Sequence, residues 1–193
     1  MGGTFNPPHK GHINAARAAR KELSLSRLIL IPSSTPPHKQ MADASATPEQ
    51  RLCMTRLMAE ELSCEVSDTE ILRGGTSYTV DTLRELCAKN PTDELWFIMG
   101  TDMFLTLEKW REPEEIMRLA NIAVVPRNEA DRERLMQHAE YLEEKYGAGA
   151  RIMKTEALEI SSTEIRDAIR NGNPSEYLPD AVFEYIKQNN LYI

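Results

Sequence analysis

The feature that most constrains this chain is an alternation of short apolar runs with amphipathic helical segments. The run RLILIP (27–32) is continuous, apolar and closed by proline, the form of a strand covered on both faces. ELWFIMG (94–100) and NIAVVP (121–126) have the same form. CEVSDTEI (64–71) alternates and reads as a less buried strand, and ARIMKTEALEI (150–160) is a fifth candidate with softer patterning. Helical periodicity fills the intervals at 13–23, 48–62, 79–89, 113–120 and 129–146, and a last amphipathic stretch closes the chain at 179–192. Strands separated by helices of this length require crossover connections, so the expected fold is α/β: a doubly wound, mostly parallel sheet with helices on both faces. Ligands of such sheets sit beyond the carboxyl ends of the strands. GGTF, PSSTPPHK, MGTDM, VPRNE and ISSTEIR fall at those ends.

A chain of 193 residues is expected to form one domain, 1–193, with a C-terminal helical part from about 161. The hydrophobic share of 41% is enough for a core. No apolar run approaches the roughly 20 residues of a membrane span, and the start lacks a secretory signal pattern. Cys53, Cys64 and Cys87 are scattered without metal spacing and suit a reducing cytoplasm. The net charge of −7 speaks against a nucleic-acid partner. A phosphate-bearing ligand must then meet a local cluster of positive groups inside an acidic shell. The loop 32–48 is long, prolyl and polar, and loops of that length in compact domains usually carry function.

In ISSTEIR, Ser161 and Glu164 have the spacing of a capping box, so a helix should start there. Its first N–H groups, the hydroxyls of Ser162 and Thr163, and Arg166 one turn in could together hold a phosphate. A capped helix that binds nothing fits the same residues. In PPHKGH, Pro8 suits a first helical turn, and His9 and His12 stand at i and i+3 on one face. Gly11 between them leaves room for a ligand, and GGTF upstream offers backbone N–H groups. A surface pair or a zinc site is the alternative, but only His38 and His138 remain as further histidines, without matching spacing.

GGTFNPPHKGH and ISSTEIR resemble the paired motifs of the nucleotidyltransferase superfamily. PSSTPPHK, GGTSYTVDTL, GTDMFLTLEKW and the ending LPDAVFEYIKQNNLY narrow the resemblance to the bacterial nicotinate mononucleotide adenylyltransferases. It runs from residue 2 to the last helix. It implies a Rossmann-like nucleotide-binding fold and transfer of an adenylyl group from ATP, with Mg²⁺, to nicotinate mononucleotide, releasing pyrophosphate. The chemistry asks little of a side chain. A phosphate monoester with a second pKa near 6 is already a nucleophile at neutral pH, so holding two anions in line is the main work. His9, His12, Lys39 and Arg166 are the expected catalytic set. ATP is expected at Gly3, Thr4, Phe5, His9, His12, Gly100, Ser161, Ser162, Thr163 and Arg166. His12 would meet the α-phosphate, and Arg166 with Ser162 and Thr163 the β and γ phosphates. The mononucleotide is expected at Lys39, Thr79, Asp102, Thr106, Trp110 and Arg127.

Several alternatives stay open. Trp110 stacks on the pyridine ring or packs at a helix start, Asp102 binds ribose or caps a helix at Met103, and Arg127 meets a substrate or is solvated. The helix 129–146, with its alternating charges, reads as a solvent face. Asn6 stands where many relatives have Asp. Phosphopantetheine adenylyltransferase shares the late motif but has threonine at the position of His9. A nucleotide-binding protein without turnover is the reading from another class. The oligomeric state is open, a homodimer included. By the same resemblance an apolar strand of about five or six residues precedes GGTF. Only Met1 stands there, so a longer natural chain is expected, and these residues alone are expected to be poorly soluble and weakly active.

Overall fold

The computed structural model describes residues 1–37, 45–155, 158, 160–172 and 176–192. Its strands form two parallel three-stranded sheets. The first has β1 (Gly2–Gly3), β2 (Ile29–Pro32) and β3 (Glu65–Val66) in sequence order, with Gly2 opposite Ile31 and Ile29 opposite Glu65. The second has β4 (Trp96–Gly100), β5 (Asn121–Val125) and β6 (Ala150–Ile152), with Trp96 opposite Asn121 and Ile122 opposite Ala150. β1 lies against β4: a Cβ on Gly2 would stand 3.6 Å from the Phe97 ring. The alternation in the sequence dictates this arrangement, because each parallel pair is joined through helix. α1 (Lys10–Glu22) joins β1 to β2 and α2 (Pro48–Leu62) joins β2 to β3. α3 (Thr69–Arg73) and α4 (Thr79–Lys89) lead to β4, α5 (Thr101–Phe104) and α6 (Pro113–Leu119) to β5, and α7 (Arg132–Tyr146) to β6. α8 (Ser162–Arg170) and α9 (Asp180–Gln188) follow.

β5 is the most apolar strand and takes the central place in its sheet, with four of its five residues buried. The core has two parts. Ile13, Leu30, Met54, Met58, Val182 and Ile186 fill the space between the first sheet and α1, α2 and α9. Val80, Phe104, Ile116, Ile122, Val124 and Leu135 fill the other, with α4, α6 and α7. Side chains this deeply buried contribute about 1.5–3 kcal/mol each. Toward the amino ends of β2 and β4 lies a cavity of about 410 Å³, with Leu28, Ile29, Leu83, Leu95 and Phe97 in its wall. Among the described residues no helix is long and apolar enough to cross a membrane.

Four expectations shift. The strand expected at 64–71 is only Glu65–Val66, and Thr69–Arg73 turns helical. Polar Ser67 and Asp68 end the ladder there: Ser67 Oγ accepts from Thr69 N–H and the Asp68 carbonyl from Leu72 N–H. The candidate 150–160 pairs over Ala150–Ile152 alone; residues 156, 157 and 159 lie outside the described residues. α1 starts at Lys10 with His9 as its N-cap, so Pro8 precedes the cap instead of occupying the first turn. The last helix ends at Gln188, and Asn190, with φ 49°, turns Leu191 and Tyr192 back into the core.

Candidate active site

A cavity of about 930 Å³ opens at the carboxyl ends of the strands. Gly3 and Thr4 reach it from β1, Ser33 from β2, Gly100 to Met103 from β4, and Val125 and Arg127 from β5. That is the location a parallel sheet assigns to a ligand.

One end is built on the two histidines. The chain leaves β1 through Phe5, buried and left-handed at φ 49°, and a cis Asn6–Pro7 bond, then enters α1 at His9. His12 Nδ1 accepts from the His9 backbone N–H at 3.2 Å. A neutral His12 ring therefore carries its proton on Nε2. The two ring centroids are 3.7 Å apart. His9 is buried, its Nδ1 has no hydrogen-bond partner among the described residues, and burial pulls its pKa down to about 4. It is a neutral imidazole at pH 7. A Cβ on Gly11 would stand 2.9 Å from His9 Nδ1 and 3.3 Å from Ile160 Cγ2. The room that glycine was expected to leave for a ligand thus holds the His9 ring itself, although Gly11 also borders the cavity.

Behind this wall stand two buried arginines. Arg51 of α2 donates to the Thr4 carbonyl at 2.8 Å and to the Ser34 carbonyl at 2.7 Å, locking the loops after β1 and β2 together. Arg166 of α8 donates to the Asn6 carbonyl at 2.8 Å and to Thr163 Oγ1 at 3.1 Å. Ser162 Oγ donates to the Pro7 carbonyl at 3.1 Å. Asn6 Oδ1 accepts from Tyr192 Oη at 2.7 Å and from Ala46 N–H at 3.3 Å, and its Nδ2 donates to Ser45. Arg51, Asn6 and Tyr192 were not anticipated as parts of the site. The signal for Arg51 was present: it shares the buried stripe of α2 with Met54, Thr55 and Met58, at spacings of three, four and seven. The capping box at Ser161 forms as expected, with Ser161 Oγ accepting from Glu164 N–H at 3.2 Å and the Glu164 carboxylate accepting from Ser161 N–H at 2.7 Å.

The other end is aromatic. Trp110 meets the Phe97 ring edge-on, with centroids 6.1 Å apart, and faces the cavity beside Tyr78 and Thr79 at the start of α4. Asp102 lies inside α5, whose N-cap is Gly100, and pairs with Arg127. Glu70 is buried at the cavity edge, accepts from Thr82 Oγ1 at 2.7 Å, and burial pushes its pKa up.

Of the expected site residues, Gly3, Thr4, His9, His12, Thr79, Gly100, Asp102, Trp110, Arg127 and Ser161 share this one cavity. Phe5, Thr106, Ser162, Thr163 and Arg166 do not border it. Phe5 packs behind His12 at 4.9 Å between centroids, and Thr106 Oγ1 donates to the Asp102 carbonyl at 2.9 Å. Arg166, expected on phosphate, points onto the Asn6 carbonyl because that acceptor lies within its buried reach. Lys39 and His38 lie outside the described residues.

Residues 1–168 match the sequence profile of the cytidylyltransferase-like family. A probable nicotinate-nucleotide adenylyltransferase of Lachnoclostridium phytofermentans is 37% identical over 195 residues, spanning 100% of this chain and 97% of the relative. One from Citrifermentans bemidjiense is 39% identical over 209 residues, with 100% and 96% covered. The chain belongs to the nicotinate-nucleotide adenylyltransferase family. Its fold also matches the nicotinic acid mononucleotide adenylyltransferase of Plasmodium falciparum complexed with NaAD, at a TM-score of 0.79, covering 99% of this chain and 94% of that one at 17% identity.

Among the described residues no three His, Cys, Asp or Glu side chains converge on one point. Enzymes of this kind use a divalent metal with ATP. A divalent cation that arrives on a nucleotide is held by phosphates and water with one or two carboxylates, and so needs no such cluster.

Proposed function

We propose that this protein joins MgATP and nicotinate mononucleotide to give nicotinate adenine dinucleotide and pyrophosphate, by direct in-line attack on the ATP α-phosphate. The observation that carries the reading is one continuous cavity, of about 930 Å³, with the His9–His12 pair at one end and Trp110 with the α4 N-terminus at the other. That volume lies at the upper end of the range for small-molecule sites and suits two nucleotides bound together.

The mononucleotide phosphate attacks the α-phosphorus as a dianion, so no general base is needed; the bond to the bridging oxygen breaks and pyrophosphate leaves, and a divalent metal carried by ATP would neutralise the charge that develops on it. The chain then contributes position and preorganised donors. His12 Nε2–H donates to the α-phosphate, because Nδ1 is already taken by the His9 N–H. His9, neutral and buried, fixes the ring of His12 by contact and keeps the N-cap in place. Arg166 acts from behind: it holds the Asn6 carbonyl and Thr163, so the loop before α1 and the start of α8 keep one spacing. The start of α8, where Ser161 and Glu164 border the cavity, turns the positive end of the helix toward the outer phosphates. Trp110 covers one face of the pyridine ring, and Thr79 lies near its substituent.

The test is pyrophosphate release by the purified protein with MgATP and, in turn, nicotinate mononucleotide, nicotinamide mononucleotide and phosphopantetheine. Turnover is expected with the first. His12→Ala should lower kcat about 10²–10³-fold, the cost of one preorganised donor. ATP binding by calorimetry with no product from any acceptor would overturn the reading in favour of a binding protein.

A further inference from the structure

We propose that the Arg111 side chain makes this site prefer a pyridine ring bearing a carboxylate over one bearing a neutral amide. The inference rests on the adenylyl-transfer reading above and adds a specificity residue to it.

Arg111 follows Trp110 directly, and both border the cavity with Tyr78 and Thr79. Its guanidinium carbon lies 4.7 Å from the centroid of the Tyr78 ring. Stacking on an aromatic face holds the planar fork while leaving its in-plane N–H groups available. The neighbouring carboxylates hold it loosely. Asp81 is 3.7 Å away and Glu112 3.6 Å, both beyond hydrogen-bond length. Both also answer to Arg84, which reaches Glu112 at 2.6 Å and Asp81 at 3.8 Å. Exchanging these contacts for a ligand carboxylate disturbs little.

The surroundings single Arg111 out. The other Arg or Lys among the described residues of the cavity wall is Arg127, already paired with Asp102. The α4 N-terminus beside Tyr78 adds partial positive charge of the same sign. Glu70, a buried acid on this wall, is already engaged by Thr82 Oγ1 at 2.7 Å, and burial pushes its pKa up. A carboxylate accepts two parallel N–H bonds from a guanidinium. A carboxamide presents one acceptor and an NH₂ donor group, so turning it toward Arg111 sets donor against donor and leaves a partner unmade. Sites that discriminate through a lost polar partner do so by far more than apolar pockets do. Arg111 is half exposed, which keeps the expected factor near tenfold.

The experiment compares kcat/KM for nicotinate and nicotinamide mononucleotides in the wild type, Arg111→Gln and Arg111→Lys, with melting curves to check that each variant folds. Arg111→Gln should reduce the acid-over-amide ratio about tenfold, through KM for the acid substrate, with KM for ATP unchanged. Arg111→Lys should keep the charge, lose the fork, and fall between. An equal loss on both mononucleotides would put Arg111 on the shared phosphate or ribose and overturn the proposal, as would an unchanged ratio. A wild type with no turnover on either mononucleotide would remove the functional reading and this one with it, so the two failures are distinguishable.

Discussion

Lowering the pH from 7 to 5 should remove stability from this protein through one side chain, His9. The folded state holds its pKa at about 4, against 6.5 for a free histidine, because its ring is buried. The unfolded chain therefore binds the proton more tightly than the folded one. Stability from this residue is full above pH 6.5, falls as the pH drops toward 4, and is flat below both values. Between pH 7 and pH 5 the two values correspond to a loss of about 2 kcal/mol. The assay is urea unfolding at both pH values for the wild type and His9→Gln, which keeps a neutral polar group that does not titrate. Other titrating groups, the Met1 amine among them, are common to both proteins, so the difference between the two pH slopes isolates His9. His9→Gln should lose about 2 kcal/mol less than the wild type over this interval. If both lose the same amount, His9 is not a buried neutral ring and the account of the His9–His12 pair is wrong.

Two further substitutions probe the same wall. Gly11→Ala puts a Cβ 2.9 Å from His9 Nδ1, so the ring must shift against His12; the helix-propensity gain of about 1 kcal/mol offsets the strain, and melting should change little while kcat falls about tenfold or more. A kcat within twofold of wild type would show that His9 needs no fixed position. Arg51→Met leaves the Thr4 and Ser34 carbonyls without their donor and should cost about 2 kcal/mol in denaturant unfolding, with a drop in turnover as the two loops loosen. A loss well under 1 kcal/mol would mean that water replaces the guanidinium.

The frame of the site was legible because it follows from periodicity and short-range chemistry. Apolar runs closed by Pro or Gly gave β2, β4 and β5, and S-x-x-E gave the start of α8 within a residue. Less legible was anything decided by what a side chain meets across the fold. Arg166 looks like a phosphate ligand when read along the chain, since it lies one turn inside a helix start; only the approach of Asn6, 160 residues away, turns it inward. Ser162 follows the same logic, its hydroxyl going to the Pro7 carbonyl. Gly11 was read as clearance for a ligand because the sequence cannot say that the His9 ring folds back beneath it. Tyr192 gave no sign at all, because its partner Asn6 is 186 residues distant.

Those inward-turned groups explain how a chain of net charge −7 can hold two phosphate ligands. Among the described residues Glu70 is the one buried acid, so the acidic excess lies where solvent reaches it and salt screens a charge within about 8–10 Å. The wall at the two histidines meets a different field. Arg51 and Arg166 sit behind the loop that carries Thr4, Asn6 and His9, held by backbone carbonyls rather than by carboxylates. Burial lowers the pKa of Arg51, yet a guanidinium stays charged, and its fork is held by carbonyls while Glu49 and Glu70 act on it only through space. Arg51 also orients two peptide groups: the Thr4 and Ser34 carbonyls drawn back toward its guanidinium turn the N–H groups of Phe5 and Thr35 the opposite way, whereas the unit that Arg166 holds ends at Pro7 and has no N–H. Two buried cations can thus make one wall attractive to anions without touching them, and their positions are fixed by the fold before any substrate arrives. A neutral His9 fits this design, because burial keeps a charge off its ring and leaves the wall's cations to the two arginines.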